Sequence, residues 1–126
     1  MNAIFIQSME IGAIFYKQYF DDERVDDWCG SEECATMTKM TIEYAKENNI
    51  SLECALYIVM ENLLENDFDT IEEHAWDDYC KGFLAGEVFG MPTKNNLDKV
   101  KKAEKLWKNS EYGYYQEVLQ EVLDEF

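Results

Sequence analysis

The chain has 126 residues, enough to bury one core, and 47% of them are hydrophobic and 14% aromatic, a composition that excludes a disordered acidic tail. Asp and Glu number 27 against 11 Lys and Arg, and the resulting formal charge of -16 disfavours direct binding to nucleic acid or to an anionic membrane surface. The stretch from Ala3 to Phe20 is apolar but has no leading positive charges and contains Glu10 and Lys17, so neither a signal peptide nor a membrane span is expected, and Cys29, Cys34, Cys54 and Cys80 read as reduced thiols of a cytoplasmic protein.

A single proline and apolar residues recurring at three- and four-residue spacing predict an all-α fold. The expectation is one helical domain over residues 1–126, a compact antiparallel bundle of about five to six helices. The first helix spans about Asn2 to Phe20, with Phe5, Met9, Gly12, Tyr16 and Tyr19 on one stripe. Ile4, Phe5 and Ile6 leave a short N-terminal strand as the alternative there. A charged linker, Asp21 to Asp27, leads to Trp28 and to Ser31, an expected N-cap. The second helix then buries Cys34, Met37, Thr41 and Tyr44 and stops at Asn48 and Asn49. Ser51 caps the third, in which Leu52, Leu56, Val59, Met60 and Leu63 follow the helical period.

Thr70-Ile71-Glu72-Glu73 has the form of a capping box and predicts the start of a fourth helix, burying Ile71, Trp76, Cys80 and Phe83 and ending at Gly90-Met91-Pro92. Gly82 and Gly86 are expected to weaken its second half. The fifth helix, about Asn95 to Lys108, turns Leu97, Val100, Ala103 and Trp107 inward. The sixth does so with Tyr115, Val118, Leu119, Val122 and Phe126.

Charge is unevenly placed along these elements. Eight acids and no Lys or Arg lie between Glu61 and Asp78, and seven acids lie between Asp21 and Glu33 against Arg24, the only arginine. Residues 94–108 invert the balance, with six lysines against Asp98 and Glu104. An acidic face of this density is expected to attract a basic protein that itself handles nucleic acid, by imitating the spacing of backbone phosphates. The expected contacts are Glu65, Asp67, Asp69, Glu72, Glu73, Asp77, Asp78, Asp26 and Asp27, with Trp28, Tyr112 and Tyr114 as aromatic anchors.

No chemistry-bearing motif competes with this reading. Phosphate-loop and dinucleotide glycine patterns are missing, the sole histidine, His74, lies six positions from Cys80 on the same predicted helix, and Cys29 with Cys34 lacks a second ligand pair for zinc. No cofactor or metal is expected, and an enzyme is disfavoured. The predicted function is an acidic inhibitor of a basic nucleic-acid-handling protein, of the counter-defence kind directed at CRISPR or restriction systems. An immunity protein against a toxin nuclease and a helical adaptor without charge mimicry are the alternatives.

Overall fold

The computed structural model describes residues 2–28, 31–70, 77–109 and 115–125, and the account below concerns those residues. They form six α-helices and one short 3-10 turn, with no strand: α1 (Ala3–Tyr19), the turn Glu23–Val25, α2 (Ser31–Asn48), α3 (Leu52–Glu65), α4 (Asp77–Phe89), α5 (Lys94–Asn109) and α6 (Tyr115–Glu125). The strand alternative at the N-terminus is therefore corrected. The Asn2 side chain accepts from the Phe5 amide at 2.8 Å, and this cap commits the β-prone residues Ile4, Phe5 and Ile6 to helix.

Other boundaries follow from the same local chemistry. Asn49 adopts a left-handed φ of 51° that ends α2, and Ile50 N donates to the Ala45 carbonyl at 3.1 Å. Ser51 then caps α3 through the Cys54 amide. Ser31 is the first residue of α2 rather than the residue before it. The capping box from Thr70 to Glu73 extends into residues outside the description, where α4 is first seen at Asp77. Gly90 closes that helix with a φ of 94°, a conformation open to glycine at little cost.

Two clusters make the core, and α1 and α4 contribute to both. On one side of the α1–α4 pair, Phe5, Met9, Ala85 and Phe89 pack with Val100 and Ala103 of α5 and with Tyr115, Val118, Leu119 and Val122 of α6. On the other side, Ile11, Phe15, Tyr19 and Phe83 pack with Met37 of α2 and with Leu56, Val59, Met60 and Leu63 of α3. The bundle is thus a central pair with a helical hairpin on each face. Lys81 adds a cation–π contact, its Nζ 4.0 Å from the Trp107 ring centre.

The central pair departs from the expected arrangement. Gly82 lies against Ser8 and the Phe5 carbonyl, whereas Gly86 lies against Met9 and Ala13, so α1 and α4 run in the same direction. Short connections favour antiparallel neighbours only between consecutive helices, and these two are not consecutive. α4 runs unbroken through Gly82 and Gly86 to Phe89. Together with Gly12, which faces the Phe83 backbone, they let two helix backbones approach closely.

The buried serine and threonine hydroxyls are satisfied within their own helices. Ser8 donates to the Ile4 carbonyl, Thr36 to Glu32, Thr38 to Cys34 and Thr41 to Met37, at 2.6 to 2.8 Å. Burial costs more at Glu87 on α4, whose carboxyl is pushed up to about 7 by desolvation. Between its ordinary value of 4.5 and about 7 the folded chain holds a proton that the unfolded chain releases, so stability falls as pH rises through that window. Because Glu87 is partly exposed, solvent screening reduces the penalty above the window to about 1–2 kcal/mol. Glu87→Gln is therefore expected to raise the melting temperature above neutral pH and to change it little below the ordinary carboxyl range. Melting curves of the two proteins across pH check this, and parallel curves at every pH would contradict it.

Candidate functional site

Charge, aromatic surface and a concavity coincide where α3 ends. Asn66 donates to the Asn62 carbonyl at 2.9 Å and to Asn62 Oδ1 at 3.0 Å, which secures the last turn before the chain leaves the helix. The chain beyond the helix places Phe68 edge-on to Trp28, with ring centres 5.8 Å apart, while Trp28 stacks on Phe15 at 6.2 Å. Trp28 is therefore half-buried and fixed between rings from α1 and from the segment after α3. Beside it opens a concavity of about 760 Å³, walled by Trp28, Phe68, Leu63, Glu33, Glu65 and Asp67 together with Arg24.

Its electrostatics are negative. Glu33 Oε2 is buried without a hydrogen-bond donor. Arg24, the single cation of the wall among the described residues, is already engaged: its Nη2 lies 2.7 Å from Asp22 Oδ2 and its Nε donates to Asp22 Oδ1 at 3.0 Å. These hydrogen bonds hold the Asp22 carboxyl below the usual carboxylate range. Both side chains of the pair are partly open to water, so the pairing organises charge more than it stabilises the fold.

Of the residues predicted to bind a partner, the structure brings Trp28, Glu65 and Asp67 to this concavity, and Asp26, Asp27 and Asp69 are exposed in the segments that lead into or out of it. Asp78 is elsewhere. It accepts from Asn2 Nδ2 at 3.2 Å and lines a second concavity, of about 590 Å³, with Lys101, Lys105 and Lys108 of α5. It therefore faces the lysine helix and not a continuous acidic wall. Asp77 is the first residue of α4. Glu72, Glu73, Tyr112 and Tyr114 lie outside the described residues. The sequence reading missed Glu33 and Phe68, and nothing in a linear pattern links them: one sits in the first turn of α2, the other in a connection, and only the tertiary fold joins them at Trp28.

Of the cysteines considered as nucleophiles or ligands, Cys34 and Cys80 have environments that oppose reactivity. Burial pushes the Cys34 thiol up to about 12, with Glu87 and Cys80 adding to the effect, and Cys80 is itself buried in the bundle. Cys54 is exposed on α3, and Cys29 and His74 lie outside the described residues. No helix among the described residues is long and apolar enough to cross a membrane. No family model, curated protein or solved structure matches the chain.

Proposed function

We propose that this protein binds and inhibits a basic protein that handles nucleic acid, presenting carboxylates in place of phosphates. The observation that carries the reading is the clustering of Glu33, Glu65 and Asp67 around the fixed Trp28–Phe68 pair, on a chain whose overall charge is -16. Carboxylates draw a basic surface in and speed encounter, and a rigid ring offers the desolvated contact that makes a complex last. An inhibitor of a defence system and an immunity partner of a toxin nuclease both belong to this class. The proposed compartment is the cytoplasm, where such targets act.

Charge reversal at Glu65, Asp67 and Asp69 tests the reading. The experiment uses the intact chain as bait at low and high salt and then measures affinity for the basic protein it retains. The triple variant is expected to bind at least about tenfold more weakly at low salt, mainly through slower association, with the difference shrinking as salt rises. Retention of nucleic-acid-binding proteins that neither salt nor charge reversal weakens would sink the proposal. It would favour the second reading, an adaptor that binds through apolar surface, for which the exposed Tyr16 and Phe20 of the α1 end speak.

A further inference from the structure

The concavity supplies charge but only half-buried rings, while the most exposed aromatic side chains of the described residues cluster around the end of α1. Phe20 is 64% exposed, Tyr57 60% and Tyr16 45%. Tyr16 and Phe20 touch, with ring centres 4.9 Å apart, so they form one patch and not two scattered residues. Tyr57 lies across the last turn of α1. It follows Glu53 by one helical turn, Glu53 accepts from Gln18 of α1 at 3.2 Å, and the Tyr19 hydroxyl feels both Glu61 and Tyr57.

Acids frame these rings. Glu53, Tyr57, Glu61 and Glu65 recur every fourth residue along one edge of α3, a ridge of about 18 Å that ends at the concavity. Asp21 and Glu23 are exposed just beyond Phe20. The nearby cations are Lys17 and Arg24, and Arg24 is held by Asp22. A second copy of the chain would bring the same negative field to this patch, and a lipid or nucleic-acid surface would bring phosphates, so charge selects a cationic occupant.

We propose that Phe20, Tyr16 and Tyr57 are the apolar anchor of the partner interface and take an aliphatic or aromatic side chain from a basic segment of the partner. Lys or Arg residues flanking that side chain pair with Glu53, Glu61 and Glu65. This rests on the inhibitor reading above and adds to it the position and chemistry of the contact that holds the complex.

Two peptides of equal length and charge separate the terms, one alternating lysine with leucine and the other lysine with serine. Each is titrated into the full chain at low salt, with affinity measured by calorimetry and the footprint by amide chemical shifts. The lysine–leucine peptide is expected to bind about tenfold tighter, with its largest shifts at Phe20 and Tyr57. Phe20→Ser with Tyr57→Ser, or Tyr57→Ser alone, is expected to reduce that advantage without weakening the lysine–serine peptide, and a melting curve verifies that these surface variants stay folded. Equal binding of the two peptides, or an advantage that survives the double variant, would overturn the anchor and leave the inhibitor reading standing. Failure of both peptides to bind at low salt would overturn both.

Discussion

Replacing Gly86 by alanine is expected to destabilise the fold by about 2–3 kcal/mol, near the top of the range for overpacking a core. A methyl group at this position would run into the Met9 carbonyl oxygen and approach the Ala13 amide nitrogen, both backbone atoms of α1 that cannot swing aside as a side chain could. Alanine also favours helix over glycine by roughly 0.5–1 kcal/mol, so the clash must outweigh an opposing gain, and a net loss would be informative. Thermal unfolding should show a fall of roughly 10 °C for a chain of this size. Gly12→Ala strains the same seam against the Phe83 backbone. Once one substitution has pushed the helices apart the other has less to displace, so the double variant should lose less than the sum of the single losses. A Gly86→Ala protein as stable as its parent would mean that the two helices are not in contact there.

Phe83→Ala should cost more, about 3–5 kcal/mol. The ring is fully buried and meets Phe15 edge-on with centres 5.2 Å apart, within the cluster that α1 and α4 share with α2 and α3. No large side chain can relax into the space, because the neighbours are themselves packed: Met37 of α2 and Leu56 and Met60 of α3 are fully buried. Against a total stability of about 5–15 kcal/mol for a natural domain, this loss is a third or more of what holds the fold. Urea unfolding should show the midpoint falling by about 2 M with little change in slope. A shift under about 0.5 M would mean that the site collapses around the cavity, contrary to the rigidity argued here.

How far the sequence could be read depended on whether the deciding interaction was local. Ser51, Asn49 and Gly90 act on their own helix ends, and the boundaries they mark are those seen. The amphipathic faces of α3 and α6 also carry their own answer, since Leu56, Val59, Met60 and Leu63, and Val118, Leu119 and Val122, are buried as the helical period requires. The packing role of Gly82 and Gly86 was not legible, because propensity judges a glycine within its helix, while these two serve a partner helix that no local pattern identifies. Tyr16 fell on the apolar stripe of α1 yet is exposed for a related reason. With Gly86 beside Ala13 and the helices parallel, α4 ends at Phe89 about level with Tyr16, so the last turn of α1 projects past it. At the candidate site, Trp28 and the acids around it were legible as an aromatic residue in an acidic setting. Its partners Phe68 and Glu33 were not, because their meeting is a product of tertiary structure.

The parallel seam of α1 and α4 also sets an order of events during synthesis. It joins residues roughly seventy positions apart in the chain. At ribosomal speeds of about 5–20 residues per second, α1 emerges several seconds before the helix that receives it. The α2–α3 hairpin, whose contacts are local, can form in that interval and cover Ile11 and Phe15, but Met9 and Gly12 stay without α4 until residues 82–86 arrive. The nascent chain therefore passes through a stage in which half of its first helix is an unmet apolar surface. Chaperone occupancy of ribosome-bound chains should be highest for those that end after α3 and before α4.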